Sequence, residues 1–378
     1  MKLAIVINEF LTAPTARMLN VSRLASFAAA ARPGCEVHLL FPAGKIAPPF
    51  EARGLSRPKN LFLHPLPAVR KMKGHFGLTL NVIFYHSCLW ELQKLQPDVV
   101  FSASFHKLWK FLLDRRSTLP RARFAYEVHG MAEINPDPSQ EKIADEIALF
   151  KRTDVLWCTT GMLRELLSRR GITAEVLPYG CPMNPDDFPP SPKATADGTT
   201  PPEGGGKGAG EKIFRLGYFG SVYPEQGVDW LVKNWNPGWG ELHIAGGIFH
   251  GKNIFSRGKI FHRDVVKKLL PNVDALVIPA LRMGRTPYVF FTKAHDYLAL
   301  KRPIIAANLP PIAEVLRDGR EALLFEPGDI RDFAHALEKI KTDGDLRARL
   351  VENSVKRARE SSYEKSVEKF WELLEVNR

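Results

Sequence analysis

In the stretch IPALRMGRTPYVFFTKAHDYLALKRPIIAA, Lys293 lies three residues and Thr292 four before Asp296. On a helix this spacing brings an ammonium, a carboxylate and a hydroxyl onto neighbouring parts of one surface. Positive charge at a helix start suits a diphosphate, and a carboxylate a turn along can accept both hydroxyls of a ribose. Arg282 and Arg285 add fixed positive charge in the preceding loop, and Tyr288, Val289 and Phe290 bring backbone amides towards the same end. The alternative is that Lys293 and Asp296 form a solvent-exposed ion pair, worth about 0.5 kcal/mol. A second candidate is His129, at the end of the run RFAYEVHG. An imidazole at a strand's carboxyl end, just before a glycine, is well placed to meet a ligand.

The elements that must hold these groups are legible on both sides. VDALVIPA and RPIIAA are short apolar runs that read as buried parallel strands. Thr286-Pro287 is a helix-start signal, and Lys301-Arg302-Pro303 supplies a basic end followed by a proline. Strand, helix and strand make a βαβ unit, whose ligands sit outside the strands' carboxyl ends. Further strands are expected at 2–7, 35–41, 98–104, 123–130, 154–159, 174–180, 214–221 and 241–247, the last followed by a turn at Gly246 that can approach a base. Helices are expected at 17–31, 141–151, 162–170, from Gln226, at 265–270, 330–340 and 346–359, with an amphipathic segment from Tyr363.

Such alternation implies an α/β protein with two Rossmann-like, doubly wound domains facing across a cleft. We expect a first domain over 1–181, a Pro/Gly-rich linker over 182–212, a second domain over 213–358 and a helix over 359–378 that packs back on the first. The 378 residues carry a formal charge of +12, which calls for an acidic partner. Arg70-Lys71-Met72-Lys73 precedes an apolar run from Phe76 to Tyr85. That pair reads either as a segment lying on an anionic membrane or as a core-facing helix with a solvated flank. No nucleic-acid motif accompanies the charge. Cys35, Cys88, Cys158 and Cys181 have no paired spacing, and the first apolar run is too short for a signal core, so a cytoplasmic location is expected.

Four linked segments carry a family resemblance: Thr292 to Ala299, Arg302 to Ala306, Ile312 to Gly319 and Leu323 to Asp329. In order and spacing they resemble the donor-binding half of the family 4 (group 1) retaining glycosyltransferases of GT-B fold. The resemblance implies transfer of a hexose from a nucleotide diphosphate sugar to a glycan or lipid-linked acceptor in surface polysaccharide or glycolipid synthesis. It implies no cofactor and no metal, with possible contact at the inner face of an anionic membrane. Asp296 would bind ribose, Lys293, Arg282 and Arg285 with the 288–290 amides the diphosphate, and Gly220, Ser221 and Gly246 would border the donor. His129 would be the catalytic-side residue beside the sugar. The chain departs from the pattern at Ser221 and Gln226, where the family carries cations, at Tyr288, where many members have a glutamate, and in the glycine-free loop 10–17. Those departures motivate the alternative of a non-catalytic nucleotide-sugar-binding or assembly subunit.

Overall fold

The computed structural model describes residues 1–10, 16–43, 50, 55–68, 81–103, 105–135, 137–188, 213–258 and 269–375. The loop 11–15, the basic run 70–73, the first half of the apolar run after it, most of the expected linker and most of the helix expected at 265–270 lie outside them. The chain forms two units: Met1–Pro178 with Tyr363–Arg378, and Tyr179–Ser362.

The sheet of the first unit comprises β1 (Lys2–Val6), β2 (Glu36–Pro42), β3 (Leu61–Leu66), β4 (Val99–Ala103), β5 (Arg123–Val128), β6 (Val155–Cys158) and β7 (Glu175–Val176). Their order is β3-β2-β1-β4-β5-β6-β7, and every pairing is parallel. Central strands are apolar on both faces because helices cover both. The helices are α1 (Ala16–Ala31), α2 (Asn81–Leu95), α3 (His106–Leu113), α4 (Gln140–Lys151) and α5 (Gly161–Arg169). The strand order reverses between β1 and β4, which makes their carboxyl ends the ligand position of such a sheet.

The second sheet comprises β8 (Arg215–Phe219), β9 (Glu241–Ala245), β10 (Ile254–Arg257), β11 (Ala275–Ile278), β12 (Ile304–Ala307) and β13 (Leu323–Phe325). Their order is β10-β9-β8-β11-β12-β13, again all parallel, with the reversal between β8 and β11. Its helices are α6 (Val228–Lys233), α7 (Thr292–Leu298), α8 (Pro310–Ala313), α9 (Ile330–Thr342) and α10 (Gly344–Glu360). The last helix, α11 (Tyr363–Glu375), belongs to the first unit. It meets α1 through a 4.9 Å contact between the Phe27 and Tyr363 rings, and Trp371 Nε1 donates to the Ala28 carbonyl at 3.2 Å.

Several expectations shift. The helix carrying Lys293 starts at Thr292, not at Thr286-Pro287. The Thr286 hydroxyl instead closes a buried turn, accepting from the Met283 amide at 2.9 Å and donating to the Leu281 carbonyl at 2.8 Å. Arg302 does not serve the helix end, which falls at Leu298: it is buried, and its guanidinium donates to the Val273, Leu270 and Lys301 carbonyls. Residues 182–188 are not linker, since Phe188 packs in the second core and its carbonyl accepts from Lys301 Nζ at 3.0 Å. The expected strand 174–180 shrinks to Glu175–Val176. The helix expected from Gln226 begins after a short 3₁₀ turn, at Val228. β3, β10, β13, α3 and α8 have no counterpart in the expected elements; β3 carries Pro65 on an edge strand, and β10 and β13 are edges of four and three residues.

Candidate functional site

At the carboxyl end of β8, Tyr297 pins α7 to the sheet. Its hydroxyl accepts from the Phe219 amide at 2.8 Å and donates to the Phe219 carbonyl at 3.1 Å. One helical turn earlier, Lys293 therefore lies against Gly220, where an added Cβ would stand 2.9 Å from Nζ. The ammonium donates to Gln226 Oε1 at 2.7 Å and sits 5.2 Å from the centroid of the Tyr218 ring. Burial pushes its pKa down to about 8, with Asp296 and Glu225 pulling the other way. Gly246, at the end of β9, has φ +134°, and a Cβ there would fall 1.7 Å from the Gly220 carbonyl oxygen. Only glycine allows two strand ends to approach this closely. Lys293, Gly220 and Gly246 thus meet at the end of β8, beside the reversal point of the second sheet.

Asp296 is buried one turn from Lys293, which removes the reading of the two as a solvent-exposed pair. Arg282 and Arg285 do not join this group. Arg282 lies 3.5 Å from Glu326 and Arg285 3.6 Å from Glu225, and both are more than half exposed. The amides of Tyr288 and Val289 are engaged with the Arg285 carbonyl at 2.9 and 3.2 Å. Phe290 offers its ring to the protein rather than to solvent, meeting Tyr179 edge-on at 5.1 Å and stacking on His295 at 4.8 Å. Burial pushes His295 down to about 3 and so keeps it neutral. Neither of its ring nitrogens has a hydrogen-bond partner among the described residues. Ser221 is exposed, its carbonyl accepting from the Tyr218 hydroxyl.

The first unit gathers a different set. His129 follows β5, with Nε2 hydrogen-bonded to Glu127 Oε1, and Glu127 Oε2 accepts from Trp157 Nε1 at 2.9 Å. At the end of β4, His106 Nε2 lies 3.0 Å from Glu146 Oε1, while Nδ1 is 3.2 Å from the Tyr126 hydroxyl. The other Glu146 oxygen accepts from the Ala132 amide at 2.6 Å. Burial raises Glu146 to about 7, opposed by that amide and helped by Glu133. Burial lowers His106 to about 4, helped by the charges of Arg17 and His129. The pair is consequently a carboxylic acid against a neutral imidazole near pH 6. Arg17 lies 3.6 Å from Glu9 and 5.2 Å from the centroid of the Phe105 ring.

His106, Glu146 and Glu127 are absent from the candidates read in the sequence. Glu127 and His129 have a local signal, since residues two apart on a strand share a face. His106 and Glu146 have none, because 40 positions separate them.

Comparison with known proteins follows the same division. Residues 213–343 match the family described as Glycosyl transferases group 1, and residues 24–183 match Glycosyltransferase Family 4. An uncharacterized glycosyltransferase of Methanocaldococcus jannaschii is 27% identical over 169 residues, an alignment spanning 42% of this chain and 47% of the relative's length. Sucrose-phosphate synthase from Thermosynechococcus elongatus superposes with a TM-score of 0.76 at 15% identity, covering 99% of this chain and 98% of that one. Anabaena HepE in complex with UDP and glucose gives 0.71 at 14% identity, covering 100% of both chains. The lipopolysaccharide outer core galactosyltransferase WaaB in its apo form gives 0.69 at 15%, again over 100% of both. The chain belongs to the group 1, or family 4, glycosyltransferases and has their GT-B fold.

Proposed function

We propose that this glycosyltransferase retains anomeric configuration as it moves a hexose from a nucleotide diphosphate sugar to a glycan or lipid-linked acceptor, in building a surface polysaccharide or glycolipid. The observation that carries the reading is the Lys293 ammonium, held over Gly220 by the Tyr297 anchor at the reversal point of the second sheet. A cation there meets the charge that builds on a departing diphosphate, and it stands in for the cations absent at Ser221 and Gln226. Asp296 takes the ribose hydroxyls, and Gly220 and Gly246 let the donor reach the backbone. The acceptor oxygen bonds to the anomeric carbon on the face from which the phosphate oxygen departs. The acceptor's proton passes to that phosphate oxygen, so no protein base, cofactor or metal enters the step. His129 lies against the sugar, and the exposed Arg282 and Arg285 supply further positive charge to the diphosphate from the loop before α7.

The lipid-linked acceptor draws support from α2, whose Val82, Ile83 and Trp90 are exposed, with the Lys94 ammonium 3.0 Å from the centroid of the Trp90 ring. Such a face suits the cytoplasmic surface of an anionic membrane, touched rather than crossed. No helix among the described residues is long and apolar enough to span one.

Thermal stabilisation by a panel of nucleotide diphosphates and their sugars tests the reading, and HepE, solved with UDP-glucose, makes that donor the first to try. A rise in melting temperature that Asp296→Ala abolishes, followed by sugar transfer, is the expected result. Stabilisation without transfer or hydrolysis would favour the non-catalytic subunit, and no stabilisation by any donor would remove both readings.

A further inference from the structure

Glu127 is a charge-bearing side chain with almost no water around it, being 1% exposed. It stands in β5 two residues before His129, which follows the strand. Its two oxygens are divided between two ring nitrogens: Oε1 meets His129 Nε2, and Oε2 accepts from Trp157 Nε1 at 2.9 Å. Trp157 is itself fully buried and fixed by stacking on Phe101 at 5.1 Å and by an edge contact with Phe370 at 5.6 Å. An indole nitrogen can only donate, so the tryptophan dictates which way the carboxylate turns. Other charged or titratable groups feel this pair from neighbouring elements. Burial first, and the Glu127 charge further, push the Tyr126 and Tyr363 hydroxyls up; Arg23 beside Tyr363 opposes the shift, and the His129 charge helps to lower His106.

We propose that Glu127, oriented by Trp157, is the positioning residue of His129: it holds the imidazole proton on Nε2 and makes Nδ1 the basic nitrogen that accepts from a hydroxyl of the bound sugar. A carboxylate accepts from both donors at once. The proton therefore has one preferred place on the ring, in the way that an outer hydrogen-bond partner commonly selects a histidine tautomer. The functional part of the inference rests on His129 lying beside the sugar, whereas the tautomer does not.

Glu127→Gln makes the idea sharp. The amide has one acceptor oxygen and one donor nitrogen, and Trp157 claims the oxygen. The NH₂ group then faces His129 Nε2, which must become the bare nitrogen, and the proton moves to Nδ1. In Glu127→Gln/Trp157→Phe the amide is released to turn over and the Nε2 proton returns. With ¹⁵N-labelled histidine at pH 8.5, where a free imidazole is neutral, long-range ¹H–¹⁵N correlation reads the tautomer directly. The expected pattern is Nε2–H in the wild type and in Trp157→Phe, Nδ1–H in Glu127→Gln, and Nε2–H again in the double variant. Transfer should follow, with kcat falling about 100-fold in Glu127→Gln, recovering at least tenfold in the double variant, and donor KM moving less than about twofold. An Nε2 proton that persists in Glu127→Gln overturns the proposal, as does inversion with kcat unchanged. If the wild type transfers no sugar from any donor, it is the functional reading that fails, and the correlation spectra still support or overturn the hydrogen-bond assignment.

Discussion

At the end of β8 one lysine faces backbone and glycine, whereas the ends of β4 and β5 gather acids and imidazoles in pairs. The difference lies in how each edge manages charge near neutral pH. Lys293, held down to about 8 by burial, still carries its proton there, so the second unit presents a fixed cation to a ligand. Glu146, at about 7, is only about half ionised there and His106, at about 4, is neutral, so beside Glu127 the first unit presents acids and neutral hydrogen-bonding groups rather than a buried cation. The first arrangement suits an anion, and the second suits neutral hydroxyls. Two sheets whose first six strands follow the same order thereby offer different chemistry at their carboxyl ends.

The largest test of this contrast removes the cation. In Lys293→Met, kcat/KM with the best donor should fall about 100-fold or more, the range for deleting one preorganised charge partner of a transition state. His129→Ala should lower kcat while leaving nucleotide affinity within about threefold. Equal loss of nucleotide binding in the two variants would erase the distinction. Next in size is Gly246→Ala, whose Cβ cannot fit 1.7 Å from the Gly220 oxygen. It should cost roughly 2 kcal/mol or more of stability, read by chemical denaturation, because both φ and space are wrong.

The smallest effect is the most diagnostic. Glu146, raised from 4.5 to about 7, binds a proton in the folded state that the unfolded chain has lost, so it makes stability fall as pH rises through 4.5–7. His106, lowered from 6.5 to about 4, does the reverse and makes stability rise across 4–6.5. Where the windows overlap the two slopes oppose one another, and folding takes up almost no protons at this pair. Denaturation midpoints of Glu146→Gln should therefore gain a rising slope between pH 4 and 6.5, and those of His106→Phe a falling slope between 4.5 and 7. Parallel, unchanged profiles would mean that folding shifts neither group, and the contrast between the two edges would blur.

Much of the second unit was legible because its signals are local. VDALVIPA and RPIIAA each became a strand, and Lys293 and Asp296 lie on the helix between them. What escaped depends on distance or on edges. Thr286-Pro287 has the residues of a helix start, yet the Thr286 hydroxyl finds the Leu281 carbonyl and the Met283 amide first and closes a turn. Gln226 reads as a lost cation until Lys293, 67 positions away, is seen bonded to it. That Arg282 and Arg285 pair with Glu326 and Glu225 is likewise not visible in the loop's own residues. His129 is visible as a lone imidazole, while its relation to Trp157 through Glu127 requires the register of β5 with β6.

The return of α11 to the first unit makes the second unit an insertion, entered after Pro178 and left after Ser362. Phe370 and Trp371 complete a core that already holds Phe101 and Trp157. During synthesis, the half whose residues are made first is therefore the half that finishes folding last, with its aromatic core open to the cell's chaperones until the residues beyond Ser362 have emerged.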